Sequence, residues 1–466
     1  MNRRPYAMPG LGLSLGLFAL DVIGFVVAFN LSYRYAIALW LGWRSLPLFG
    51  ILVVQLMTFY VLDLYSIDDR ASRLDILSKT VVGVVAAGII IAGIVYITET
   101  RETVPLFFRG VLPGGFVLFL LWALLIRYLG TLWIHRMARW IRWLVVSDVK
   151  PDSPLCKDIA MIDGMGEMSI LIDSEQKRES LPEPIRKNIS GGFDKLATEG
   201  DRNWTGIIIA TEGTLPKDLL RRIMELRLGG VRIYDLTDFY ERFMQKVPVL
   251  HLRDNWFALS HGFDLLHHGV ELKIKRLLDL TLACTFLVLA LPVMVAAAVA
   301  IVLDRRGNSK GPVLYRQLRT GVNGTPFHIY KFRTMVSDAE SDGAQWAAHN
   351  DSRVTRVGRV LRKTRLDELP QLWNVLKGEM SFIGPRPERP DFNKELEKVI
   401  PYYDLRHLVK PGITGWAQVM YVYGSSTEDA LEKLQYDIYY IKNYSLLLDF
   451  FIVLKTFRVM LGRRGR

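Results

Sequence analysis

The chain has 466 residues, enough for two or three domains; half of it is apolar, with a positive mean hydropathy, which excludes both an ordinary soluble enzyme and a transporter built only of spans. A net charge of +12, with no zinc-ligand spacing and no nucleic-acid motif, excludes nucleic acid as the partner and points to anionic lipid or phosphorylated ligands. The two cysteines, Cys156 and Cys284, are far apart and give no disulfide framework, so a reducing compartment is expected.

Four apolar segments open the chain, at residues 11–33, 46–62, 80–97 and 111–129. Each approaches the length that crosses a bilayer, so residues 1–135 are expected to form a four-helix transmembrane bundle. No signal-peptide cleavage pattern follows the first segment, which reads as a retained anchor. Arg3 and Arg4, then Arg70, Arg73 and Lys79, then Arg136, Arg139 and Arg142 outnumber the basic residues of the other loops. This bias puts both ends of the bundle in the cytoplasm.

From 136 to 262 the pattern changes. WLVVSDV, MSILID, TGIIIAT and VRIYDL read as strands, and residues 215–230 include a helix. The alternation predicts a small parallel α/β domain of Rossmann type. A dinucleotide site would need glycines directly after the first strand. Ser147, Asp148, Val149, Lys150 and Pro151 stand there instead, and Gly164 and Gly166 come too late. The domain therefore reads as degenerate.

A third domain is expected over 263–466. It opens with an apolar helix at 273–304 that carries Asp279 near its start and Pro292 near its middle. Proline removes a backbone donor and clashes with the preceding turn, so it kinks or breaks a helix. Basic residues flank both ends (Lys275 and Arg276, then Arg305 and Arg306). A re-entrant helix anchored from one side and a true span both remain open. The chain ends in an apolar helix with a basic tail, suited either to an anionic membrane surface or to packing on the domain.

The densest polar cluster runs from 351 to 387. Arg353, Arg356, Arg359 and Arg362 recur every third residue and lead to an acidic pair, Asp367 and Glu368. A solvated face and a phosphate site both fit such a stripe. Pro370 suits a first helical turn and Gly378 a helix end, which puts the pair beside a helix N-terminus. There the pair could cap the helix, or supply a nucleophile and a Mg2+ ligand. GPRP (384–387) presents Arg386 from a stiff turn. YKFRTM (330–335) puts Lys331 and Arg333 on one strand face. KPGITGWAQV (410–419) reads as a loop that packs on a nucleotide or the membrane interface.

KFRTM, LDELPQLWNVLKGEMSFIGPRP and KPGITGWAQV, in this order and spacing, resemble the bacterial sugar transferases, the monotopic phosphoglycosyl transferases, from about residue 273 onward. The whole layout resembles the larger polyprenyl glycosylphosphotransferases of exopolysaccharide synthesis. The fold class this implies is an N-terminal membrane bundle, a Rossmann-like α/β domain and an α+β catalytic domain with a re-entrant helix broken at Pro292. The activity it implies is transfer of a hexose-1-phosphate from a UDP-sugar, such as UDP-glucose or UDP-galactose, to a polyprenyl (undecaprenyl) phosphate. By the resemblance, Asp367 is the nucleophile that forms a phosphosugar-aspartyl intermediate. Glu368 is its partner, associated with Mg2+. Arg362, Arg386, Lys331, Arg333, Asp437 and Gln418 belong to the substrate-binding set. The resemblance also implies the bacterial inner membrane with the catalytic domain on its cytoplasmic face, and leaves room for a homodimer. The family often has Ser before the helix-breaking proline, where this chain has Leu291.

Two other readings are set against this one. Membrane-bound nucleotide-sugar dehydratases also join four spans to a Rossmann domain, but need the dinucleotide fingerprint. An inactive scaffold would not need the intact Asp367–Glu368 pair. The sugar is not legible, and residues 421–437 are where specificity is expected.

Overall fold

The computed structural model describes residues 11–40, 45–65, 73–98, 106, 110–138, 141–148, 150, 153, 156, 159, 167–196, 204–211, 213, 215–252, 256–263, 269–304, 311–336, 339, 351–421, 424 and 426–461. Outside them lie Arg3, Arg4, Arg70, Arg139, Arg305 and Arg306 of the expected flanks, Val149, Pro151, Gly164 and Gly166 of the expected dinucleotide region, and parts of the 421–437 stretch. The chain divides into two units, Met1–Met244 and Gln245–Arg466.

In the first unit the apolar segments form four helices: α1 (Leu11–Ile37), α2 (Leu46–Val61), α3 (Arg73–Ile97) and α4 (Val111–Ala138). Ser45 caps α2 by accepting from the Leu48 amide, and Pro47 sits in the first turn, where its missing N–H costs nothing. Phe25, Phe29, Phe59, Phe116 and Phe119 interlock as the bundle core. Buried with them, Arg127 of α4 donates to both carboxylate oxygens of Asp21 of α1, at 2.5 and 2.6 Å. Outward faces stay apolar, as at Ile89, Val117 and Leu121. Such exposure suits lipid better than water. One expectation is corrected here. α2 has 16 residues, about 24 Å of helix, short of a hydrocarbon core of about 30 Å. Among the described residues four helices are long and apolar enough to cross a membrane, and they are α1, α3, α4 and the long helix of the second unit.

After α4 come five parallel strands: β1 (Arg142–Ser147), β2 (Glu167–Ile172), β3 (Ile189–Gly192), β4 (Gly206–Ala210) and β5 (Ile233–Asp235). Their order is 3-2-1-4-5. Leu144, Val145, Val146, Ile207 and Ile208 are fully buried, as near-continuous apolar strands in a sheet covered on both faces should be. A doubly wound sheet binds ligands beyond the carboxyl ends of β1 and β4. Ser147 donates to the Ala210 carbonyl at 2.8 Å, and Asp148 accepts from the Gly213 amide at 2.9 Å.

The second unit starts earlier than the sequence suggests. Residues 245–252 and 256–262, read above as part of the α/β domain, belong to it. Val247 and Val249 lie in a core with Leu396, Ile400, Tyr403, Leu434 and Ile438. The long apolar helix follows, α6 (Gly269–Leu303), after α5 (Lys217–Leu228) of the first unit. α6 runs uninterrupted through Pro292, so the expected break is at most a bend. One stripe of α6 lies against the unit from end to end. Lys275 pairs with Asp449 at 2.8 Å, and Arg276 donates to the Val375 and Leu376 carbonyls. Ala283 packs among Ile329, Leu372 and Val375, and Ala297 against Phe332 and Leu361. Finally Asp304 accepts from the Val357 amide at 3.1 Å. The opposite stripe, including Val288, Leu289, Leu291 and Val295, is exposed.

Candidate active site

Several pieces of chain build one cleft of about 1440 Å3 in the second unit. The first is an antiparallel hairpin, β6 (Leu314–Thr320) and β7 (Pro326–Phe332). Lys331 lies in β7 and Arg333 just past its end, and both line the cleft as the strand alternation predicts. The second is α7 (Arg356–Thr364), capped by Thr355, whose hydroxyl accepts from the Gly358 amide. Gly358 has to be small, because a Cβ there would come within 2.1 Å of the Thr334 carbonyl oxygen. That close approach lets the Arg362 guanidinium donate to the Thr334 hydroxyl at 2.9 Å. The arginine stripe is only partly helical. Arg353 precedes α7 and pairs with Asp351, while Arg359 and Arg362 line the cleft.

α7 ends at Arg365 in the left-handed region (φ 59°), and the chain then tightens into a 3-10 turn, Leu366–Gln371. Asp367 and Glu368 lie in this turn, with Pro370 also inside it. The six-residue helix α8 (Leu372–Lys377) comes afterwards and ends at the left-handed Gly378. The pair is therefore held by a 3-10 turn that leads directly into α8, beside the helix N-terminus the sequence predicts. Its charge is set by side chains.

Arg386 donates to Glu368 at 2.6 Å, and Lys331 donates to the same oxygen at 3.3 Å. Burial alone would push the Glu368 carboxyl up, but Arg386 and Lys331 outweigh it and hold the group well below the usual carboxylate range. Asp367 differs. Burial first, then the adjacent Glu368 charge, raises its carboxyl above the ordinary value against Lys331, Arg362 and Arg386. Burial lowers Lys331 to about 8, opposed by Glu368. One carboxylate is thus locked in an ionised, hydrogen-bonded state, and its neighbour is desolvated and more basic.

Arg386 reaches the pair through a tight backbone crossing. β8 (Ser381–Ile383) pairs in parallel with β9 (Gly412–Thr414). Gly384, Gly412 and Gly415 meet at this crossing; a Cβ on Gly412 would lie 2.1 Å from the Gly384 nitrogen. α9 (Pro390–Val399) follows the GPRP turn.

The third and fourth pieces are α10 (Trp416–Met420) and α11 (Thr427–Lys442). Gln418 of α10 lines the cleft. Asp437 of α11 is buried and accepts from Arg406 at 2.8 Å. Arg406 also donates to the Tyr403 hydroxyl and to the Arg386 carbonyl. Asp437 itself lines the cleft, and through Arg406 it is tied to the turn that carries Arg386. Burial pushes Asp437 up to about 6, against the attraction of Arg406. The sequence reading missed Arg406 and Arg319. Arg319 is half-buried on β6 and donates to the Pro387 carbonyl and to Glu388. Neither lies in a motif with a chemical signature, and only the fold brings them in.

The expected Mg2+ can be tested against the donor set. Among the described residues no cluster of three or more acidic, His or Cys side chains exists. Mg2+ commonly takes one or two carboxylates and completes its shell with water and substrate phosphate. Asp367 and Glu368 fit that mode.

Comparison with known sequences gives this geometry its context. The family described as bacterial sugar transferase matches residues 270–463. The UDP-N-acetylgalactosamine-undecaprenyl-phosphate N-acetylgalactosaminephosphotransferase of Aeromonas hydrophila is 44% identical over 245 residues, 53% of this chain and 56% of that protein. The UDP-glucose:undecaprenyl-phosphate glucose-1-phosphate transferase of Xanthomonas campestris pv. campestris is 39% identical over 262 residues, 53% of this chain and 50% of that protein. One of the same description from Caulobacter vibrioides is 42% identical over 201 residues, 43% of this chain and 73% of that protein. The chain belongs to the bacterial sugar transferase family. It spans about half the length of the Aeromonas and Xanthomonas relatives. The region matched to the family holds Asp367, Glu368, Lys331, Arg386, Arg406 and Asp437, and so every polar contact described at the pair.

Proposed function

We propose that the protein transfers a sugar-1-phosphate from a UDP-sugar to polyprenyl (undecaprenyl) phosphate, as the first membrane step of a bacterial glycan such as an exopolysaccharide. The observation that carries this is the asymmetry of the carboxylate pair: Glu368 held by Arg386 and Lys331, Asp367 desolvated beside it. A more basic, less solvated carboxylate is the better nucleophile.

In the first step a carboxylate oxygen of Asp367 attacks the phosphorus that bears the sugar. The bond from that phosphorus to the bridging oxygen breaks, and UMP leaves with the electron pair. In the second step a phosphate oxygen of the acceptor attacks the same phosphorus. The bond to Asp367 breaks, the carboxylate is restored, and a polyprenyl-diphospho-sugar leaves. Arg386, Lys331, Arg362 and Arg333 offset charge on the transferring phosphoryl group. Mg2+ held by Glu368 together with diphosphate oxygens would add to that neutralisation.

The contacts of α6 favour the one-sided reading of this helix. Asp279, bonded to Ser381 and Phe382, joins Lys275, Arg276 and Asp304 in tying both ends of α6 to one compact unit. A helix whose two ends are fixed to the same body enters and leaves the membrane on one face. Leu289 and Leu291, beside Pro292, would then reach deepest. UDP-sugars are made in the cytoplasm, so the cytoplasmic face of the inner membrane is the side proposed.

The test is intact-protein mass after incubation with Mg2+ and UDP-glucose, UDP-N-acetylgalactosamine or UDP-galactose, without acceptor. A sugar-phosphate mass gain on the wild type and none on Asp367→Asn is the expected result. A gain on both proteins would move the nucleophile elsewhere.

A further inference from the structure

The edge of the α/β sheet at which the strands begin is basic and carries an exposed leucine. β1 starts at Arg142, and β2, β4 and β5 run parallel to it. The crossover helix α5 between β4 and β5 must run the opposite way, so its last turn returns to this edge. Two hydrogen bonds fix that return. The Val231 amide donates to the Leu226 carbonyl, and the Ile207 amide of β4 donates to the Arg232 carbonyl. Leu219, Ile223 and Leu226 of α5 pack in a core with Leu144, Val146 and Ile207. Leu228 has no place in that core and is 86% exposed.

Arg227 and Arg232 flank Leu228, and Arg186, the last residue of the short helix Glu183–Arg186, leads into β3 at the same edge. All three arginines are exposed, and their side chains make no ion pair among the described residues. The acidic groups nearby do not balance them. Glu167 of β2 is taken by Arg142 at 2.9 Å and Glu225 by Arg222 at 3.1 Å, while Glu183 stands at the other end of its short helix. The bilayer is close to this edge, because α4 arrives from it. The outward apolar side of α4 ends at Trp133, 52% exposed and of the residue type that settles at a membrane–water interface, and the exposed Arg136 follows. Only four residues separate Ala138 of α4 from Arg142 of β1, a reach of at most about 14 Å. The edge where the strands begin is therefore the one tethered beside the interface.

We infer that this edge, centred on Arg186, Arg227, Leu228 and Arg232, rests on the anionic headgroups of the bilayer that α4 crosses, and that the α/β domain is a lipid-surface-binding module. The arginines pair with lipid phosphates, and Leu228 lies among the headgroups. The short connection from α4 supplies the proximity, so a few cations suffice to hold the domain down. The transfer reaction plays no part in this argument, and either can fail without the other.

The experiment places the full-length protein, in a Cys156→Ser, Cys284→Ser background, in phosphatidylcholine nanodiscs with and without phosphatidylglycerol. Part of the phosphatidylcholine carries a nitroxide on its headgroup, which quenches a fluorophore that comes close. Gly229→Cys, next to Leu228, and Lys217→Cys, at the far end of α5 about 16 Å away, are each labelled with bimane. Gly229 is exposed and has an ordinary φ of −72°, so a side chain fits there. The label on Gly229→Cys is expected to be quenched in discs with phosphatidylglycerol and much less without it, and the label on Lys217→Cys to stay bright in both. Adding Arg227→Gln and Arg232→Gln is expected to lower the docked-to-free ratio about 30-fold, equivalent to ~2 kcal/mol for two cations near an anionic surface, and most of the quenching with it. Equal quenching of the two labels overturns the inference. So does quenching at Gly229→Cys that ignores phosphatidylglycerol or the two arginine substitutions. A label on Gly229→Cys that is shielded from lipid, as it would be beneath a second copy of the chain, overturns it as well.

Discussion

At the scale of single residues, the site works by keeping two adjacent carboxylates unlike. Glu368 is neutralised by Arg386 and Lys331, and in the proposed reaction Asp367 keeps its charge for the attack. Glu368→Gln removes the anion that aims Arg386. We expect UMP release to fall about 10²–10³-fold, in the range seen when one charge-stabilising contact is removed from an active site. A single-turnover assay of UMP release, with folding checked by melting temperature, measures it. Asp437 gives the site a pH dependence. Its pKa of about 6 lies above the ordinary 3.8, so it is ionised above about pH 6 and neutral below. Only the ionised form gives Arg406 an anionic partner. As pH falls through about 6 that partner is lost, the GPRP turn loosens and transfer slows. Asp437→Asn should be slow at all pH values and should lack this acid limb, which a pH–rate profile of both proteins would reveal.

At the scale of elements, much of the architecture is legible because apolar periodicity is a strong signal. The four front helices and the parallel strands lie close to where their patterns put them, and so do the strand with Lys331 and the turn with Arg386. What is not legible follows from contacts made far along the chain. Pro370 and the spacing of LDELPQLW suggest a helix start, and a helix does start at Leu372, but the 3-10 turn before it, which follows the left-handed Arg365, is not legible. The segment 245–262 carries no motif. Its role appears only when Val247 donates to the Gln435 carbonyl, Gln245 accepts from Trp416, and Lys246 pairs with Glu432 at 2.6 Å. Gly358 is another such case, an ordinary helical glycine until Thr334 is seen against it. Gly358→Ala would drive a Cβ into the Thr334 backbone, which is not the yielding end of a flexible side chain. We expect α7 to be pushed away from β7, with a loss of about 1–3 kcal/mol in stability and at least tenfold in transfer. Thermal melts and steady-state rates of the purified variant give both numbers.

At the scale of the whole molecule, the chain combines a lipid-facing bundle with a catalytic unit that carries its own membrane helix. The bundle is fastened inside by the fully buried Asp21–Arg127 pair. Removing one partner of such a pair strands a charge, which is why bundles keep them once formed. The catalytic unit faces a different problem in the proposed reaction, whose donor is soluble and whose acceptor is confined to the bilayer. α6 offers a solution if both of its ends stay on one side. Its 35 residues give about 52 Å of helix, far longer than a perpendicular crossing needs. An ordinary span of that length would carry Asp304 beyond the opposite face, away from Val357. One-sided anchoring predicts that residues before and after the apolar stretch share a compartment. In a Cys156→Ser, Cys284→Ser background, Leu272→Cys and Leu303→Cys are both partly or largely exposed positions near the two ends of α6. A membrane-impermeant thiol reagent should label both in inverted inner-membrane vesicles and neither in spheroplasts. Labelling of one position from each side would make α6 a true span and place the two ends of the helix in different compartments, which the contacts from Lys275 to Asp304 could not survive.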